Sequence, residues 1–244
     1  MDRASLDQRL SRISTQWTLL FQAHAEGTDA AAAAQRALLQ RYGGAVYRYL
    51  LGAVRDADLA GDLAQEFALR VVRGDFRRAD PQRGRFRDYL KTALVHLVTD
   101  HHRARQAWPR ALAPDGPEPA AAPDAGPDTE QVFLASWREE LLDRAWKVLA
   151  EANAAYHAVL LFRVENAEAS SAEAAERVGR QLGKAVTAAW VRKTLQRAQV
   201  KFAGLLLEEV AVSLGTDEPA ALAEELRALD LLKYCRSALE RRKG

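Results

Sequence analysis

Residues 107–130 read AWPRALAPDGPEPAAAPDAGPDTE and hold most of the chain's eight prolines. Proline lacks a backbone N–H and fixes φ, so such a run supports neither a helix interior nor a central strand. The segment has no periodic apolar pattern and no means of burying apolar surface. It therefore reads as a flexible, Pro/Ala-rich linker that divides the chain. On either side the composition is helical. Ala, Leu, Arg and Glu dominate, and all four are good helix formers. A hydrophobic fraction of 48% over 244 residues suffices for two small packed cores.

The apolar periodicity agrees, and the fold class expected is all-α. In the first block, 14–106, Leu38, Leu39, Tyr42, Val46, Tyr49 and Leu50 form an amphipathic stripe. The turn Arg55-Asp56-Ala57-Asp58 holds a capping acid, and the helix over 58–72 after it buries Leu63, Phe67 and Val71 and turns Asp62, Gln65, Glu66 and Leu69 outward. After the loop RGDFRRADPQRGR, a long helix spans 85–105 with Phe86, Leu90, Ala93 and Leu97 as its seam. The third block, 131–212, has helices around Leu141–Leu149 and Tyr156–Arg163. A short helix follows, opened by Ser170 and Glu173 at capping-box spacing. A turn over Gly179–Val186 then leads to a long basic helix, and two helices so joined form a helix-turn-helix pattern. Residues 213–244, after the turn signal SLGTDEP, read as a short helical C-terminal extension.

Charge is segregated although the net value is only +2. Residues 70–91 carry eight Arg or Lys against three acids, and 177–201 carry seven and no acid. Residues 111–136 carry five acids (Asp115, Glu118, Asp124, Asp128 and Glu130) and no base. Two basic runs flanking an acidic linker point to more than one kind of partner. The single cysteine, Cys235, excludes a disulfide framework and a thiolate metal cluster. No metal or other cofactor is expected. The adjacent His101 and His102 point about 100° apart on a helix and suit a surface pair or a phosphate contact better than a metal site. The start MDRASLDQRLSR lacks a signal-peptide core, and no run approaches the ~20 apolar residues of a membrane span, so a cytoplasmic protein with no membrane partner is expected. No cluster of acids with metal spacing suggests an enzyme.

Three motifs in order carry a resemblance. Asp62, Leu63, Gln65, Glu66 and Phe67 follow the pattern acid, leucine, any residue, glutamine, acid, aromatic. Phe86, Arg87, Tyr89 and Leu90 follow Phe-Arg-x-aromatic-Leu. Val191, Arg192, Leu195, Arg197 and Ala198 follow Val-Lys-x-x-Leu-x-Arg-Ala, with Arg for Lys. Over 14–106 and 137–203 the chain resembles the extracytoplasmic-function class of sigma factors, which are not enzymes. One departure is a longer stretch between Gly179 and Val191 than the family's short turn.

The resemblance implies two partners, core RNA polymerase and promoter DNA, and admits an anti-sigma protein as a third. It implies that Asp62, Gln65, Glu66 and Leu69 grip the polymerase clamp helices. The −10 element would be bound and opened by Arg77, Arg78, Arg85, Arg87, Tyr89, Lys91, Arg103 and Arg105. Cations neutralise phosphates and aromatics stack on unpaired bases, although Phe86 itself suits core packing. Arg192, Lys193, Gln196 and Arg197 would read the −35 element as duplex. The acidic linker is either a nucleic-acid mimic in polymerase channels or a solvated tether. A stand-alone helix-turn-helix regulator is the alternative reading, and it leaves the first domain without a task.

Overall fold

The computed structural model describes residues 16–23, 29–76, 84–107 and 127–243. Every regular element among them is an α-helix. In chain order these are α1 (Gln16–Ala23), α2 (Asp29–Val54), α3 (Ala57–Arg73), α4 (Phe86–Ala107), α5 (Pro127–Ala152), α6 (Ala154–Glu165), α7 (Ser171–Gln181), α8 (Ala188–Leu214), α9 (Pro219–Ala228) and α10 (Leu232–Lys243). The described residues form two compact units, one running to residue 140 and taking in 212–215, the other of 141–211 with 216–243.

The first unit is organised around α2. Of its predicted stripe Leu38, Tyr42, Val46, Tyr49 and Leu50 are buried and Leu39 is half-buried. Asp56 accepts from the backbone N–H groups of Asp58 and Leu59, both at 3.0 Å, and starts α3. Such a cap contributes about 1 kcal/mol. Gly74, at φ 83°, ends α3 in the left-handed region, which glycine adopts without a Cβ penalty. Between these ends Leu63, Phe67 and Val71 are buried. The seam of α4 is Phe86, Leu90, Leu94, Leu97 and Val98. Ala93 is half-buried and Leu94 joins the seam beside it, because the positions three and four residues beyond Leu90 both lie on its face.

The unit closes with residues assigned from sequence to the second domain. Helix α5 begins at Pro127, inside the segment read as linker, and α4 runs on to Ala107. Proline is well suited to the first turn of a helix, where its missing N–H has no intrahelical partner to lose. The first half of α5 packs on α2. Trp137 stacks on Tyr42 with ring centroids 5.1 Å apart and planes 5° apart, and Phe133 meets Tyr49 edge-on at 5.6 Å. Each such pair adds about 0.5–1.5 kcal/mol beyond the area it buries. Gly52 permits the approach, since a Cβ there would lie 2.7 Å from Val132 Cγ1. Arg48 completes the contact with an ion pair to Glu140 at 2.7 Å.

In the second unit Trp146 of α5 packs on Phe202 of α8 with centroids 4.7 Å apart, and Arg144 pairs with Glu209 at 3.0 Å. A smaller core of Ala158, Val159, Ala174, Ala175, Val178 and Val191 joins α6, α7 and the start of α8. Helices α9 and α10 bury Leu222, Leu226, Cys235 and Leu239, and Leu231 between them is buried too. The Cys235 Sγ lies 3.8 Å from the Ala203 carbonyl, and burial pushes its thiol up to about 12. At ordinary pH it is therefore a packing residue rather than a reactive thiolate.

Candidate polymerase and nucleic-acid interfaces

On α3, Asp62, Gln65 and Leu69 are exposed and Glu66 is half-buried. They share one face because the opposite face carries Leu63, Phe67 and Val71. Leu69 is 46% exposed and Val72 53%, so an apolar strip runs beside the carboxylates. Glu66 accepts from Arg70 Nε at 3.0 Å, and Arg70 also reaches Asp100 of α4 at 3.6 Å. Asp62 and Gln65 are thus presented on a braced helix. Exposed carboxylates, an amide and a leucine together suit a protein partner that is basic and helical.

The basic residues of α4 are not equivalent. Arg87 is only 7% exposed, and its Nε lies 3.6 Å from Asp88 Oδ1. Phe86 is buried and meets Tyr42 at 5.1 Å, which makes it a core residue. Tyr89 is half-buried and meets Phe76 edge-on at 6.1 Å, and burial raises its phenol above the usual range. Lys91 pairs with Glu130 of α5 at 3.1 Å. Arg85 is half-buried, whereas Arg103 and Arg105 are exposed. Arg77 and Arg78 lie outside the described residues, as do the linker acids Asp115, Glu118 and Asp124. The rings of His101 and His102 lie 5.9 Å apart. Burial, with His101 and Arg105 nearby, lowers the pKa of His102 below the ordinary 6.5. It is mostly neutral at pH 7 and adds little to phosphate attraction.

The turn between α7 and α8 in the second unit is set by local devices. The Glu173 N–H donates to Ser170 Oγ at 3.2 Å, and the Ser170 N–H donates to Glu173 Oε2 at 2.7 Å, a complete capping box. These bonds from Ser170 lower the Glu173 pKa. Helix α7 continues to Gln181, so the turn begins at Leu182 and Gly179 remains helical. Gly179 matters through space: a Cβ there would lie 2.9 Å from the Lys184 carbonyl, where the turn folds back. Gly183, at φ 64°, supplies the left-handed step. Thr187 Oγ1 accepts the Trp190 N–H at 3.1 Å as α8 starts. Val191 is buried, Trp190 is half-buried, and Lys184 Nζ sits 5.2 Å from the centre of the Trp190 ring.

That anchoring turns the other face of α8 outward. Arg192, Lys193, Gln196 and Arg197 are all exposed, and the ion pairs among the described residues leave them unengaged. Val200 and Lys201 extend the same stripe. Lys201 lies four residues beyond Arg197, a spacing on the sequence itself that puts both on one face.

Residues 38–107, covering α2 from Leu38 to the end of α4, match the family model of sigma-70 region 2. This supports a sigma-70 family factor. Region 2 implies a role in RNA polymerase binding and promoter melting, and sigma factors are not a class of enzymes. No curated protein and no solved structure matches the chain. No described helix is long and apolar enough to cross a membrane.

Proposed function

We propose that this protein is a sigma factor of the extracytoplasmic-function class that directs promoter recognition with two domains. Asp62, Gln65, Glu66 and Leu69 on α3 take the polymerase clamp helices. Arg77, Arg78, Arg85, Tyr89, Arg103 and Arg105 contact the −10 element as it opens. Helix α8 reads the −35 element as duplex through Arg192, Lys193, Gln196 and Arg197. The observation that carries this reading is the pairing of two features on one chain. One is a region 2 match, and the other is a capped helix-turn-helix whose second helix presents an acid-free, exposed basic stripe. Cations on such a stripe suit phosphates and guanine edges, and the amide of Gln196 suits adenine. The segment between α4 and α5 acts as the connector, and an anti-sigma protein would compete for the same faces.

Reversing charge at Asp62 and Glu66 together tests the polymerase face. Asp62 is exposed and Glu66 pairs only at the surface, where such a pair is worth about 0.2–1 kcal/mol, so the fold should survive. Affinity for core polymerase, measured by fluorescence anisotropy, should fall by at least about tenfold. Unchanged affinity in a variant that still melts cooperatively would refute the assignment and favour a regulator that acts without polymerase.

A further inference from the structure

The exposed stripe of α8 does not run the length of the helix. Beyond Lys201 the helix turns inward, and Ala203, Leu205, Leu206 and Leu207 are buried. Where the stripe ends, an open groove of about 690 Å³ is lined by Gln196, Arg197, Lys201 and Glu208 of α8, Tyr156 of α6 and Arg241 of α10. Three of these residues are cations and one is an acid. Arg241 is exposed, and the ion pairs among the described residues leave Arg197, Lys201 and Arg241 unengaged.

Arg241 reaches this groove from outside the helix-turn-helix. Its helix is held to α8 by packing, with Cys235 against the Ala203 carbonyl and Ala238 and Leu239 buried. Arg242, the next residue, pairs with Asp217 at 3.0 Å and pins the end of α10. A cation held on a docked helix loses less freedom on binding than one on a loose tail.

We propose that the C-terminal helix α10 is part of the DNA-binding surface, with Arg241 contacting a duplex phosphate beside those reached by Arg197 and Lys201. The proposal rests on reading α7 and α8 as a helix-turn-helix that binds duplex. Arg241 stands at the flank of the recognition stripe, off the helix that would enter the major groove. Side chains in that position meet the backbone rather than base edges. The contact is therefore independent of sequence and sensitive to salt.

The test uses the full chain and a random-sequence duplex, with binding followed by fluorescence anisotropy across a salt series. Arg241→Ala should weaken binding about threefold or more and lower the slope of log affinity against log salt by about 1. Arg241→Lys, which keeps the charge, should retain the slope. Arg236→Ala removes an exposed cation of the same helix that does not line the groove, and it should leave affinity nearly unchanged. Equal losses for Arg236→Ala and Arg241→Ala would reduce the effect to overall charge and overturn the proposal. If Arg192→Ala weakens binding while Arg241→Ala does not, the helix-turn-helix reading stands and α10 has no place in it. If neither Arg192→Ala nor Arg241→Ala has an effect, the helix-turn-helix reading fails and the role of α10 fails with it.

Discussion

Helix α4 and the first half of α8, residues 188–201, each carry four Arg or Lys, yet the fold treats them differently. On α4 Arg87 is buried, Lys91 is paired with Glu130, and only Arg103 and Arg105 of the expected set are exposed on the helix. On α8 Arg192, Lys193, Gln196 and Arg197 are all exposed. The cause is the number of sides from which each helix is packed. The first half of α4 has α2 and α3 against it, and α5 reaches it at Lys91. The first half of α8 rests on α6 and α7 by one face alone. A basic run marks a surface only where no other element arrives to cover it.

The largest test of this contrast is Trp137→Ala. Trp137 is 1% exposed and stacked on Tyr42, so its loss should destabilise the first unit by about 3–5 kcal/mol. Denaturant unfolding would measure the loss, and hydrogen exchange should show residues 130–140 losing protection. Trp190→Ala, at a half-buried site, should cost clearly less. A loss below about 1 kcal/mol at Trp137 would mean that the first half of α5 contributes little to the first unit.

A smaller effect with a sharper sign comes from two glycines of α2. Gly52→Ala places a methyl against Val132, whose β-branched side chain has few rotamers to retreat to, and should cost about 1–3 kcal/mol. At Gly43 a Cβ meets nothing within 4 Å, so Gly43→Ala should stabilise by about 0.5–1 kcal/mol through helix propensity. The same sign for both in thermal melts would remove the close approach of α2 and α5.

The smallest expected effect bears directly on function. Lys91→Ala should change the free protein's affinity for duplex less than about twofold, because Glu130 already holds the ammonium, in a pair worth about 0.2–1 kcal/mol. Arg192→Ala should weaken the same binding by about tenfold, the loss of one good contact. Anisotropy titrations at one salt concentration would compare them. A larger loss at Lys91 would reverse the contrast between the two helices.

Much was legible in the sequence because it is local. The helices follow from apolar periodicity and composition. Asp56, Gly74, and Ser170 with Glu173 mark helix ends by chemistry that acts within a few residues. The faces of α3 and α8 follow from the same period, since a buried stripe dictates its opposite. What only the tertiary structure decided depends on contacts between segments far apart in the chain. Nothing near Lys91 announces Glu130, and nothing near Gly52 announces Val132. Proline content marked 107–130 as linker, but Pro127 opens α5 and the aromatic residues after it complete the core of the first unit. Arg241 joins the groove beside Arg197 only because α10 docks on α8. Local pattern determines which face of a helix is apolar, and long-range packing decides which of its charges remain available to a partner.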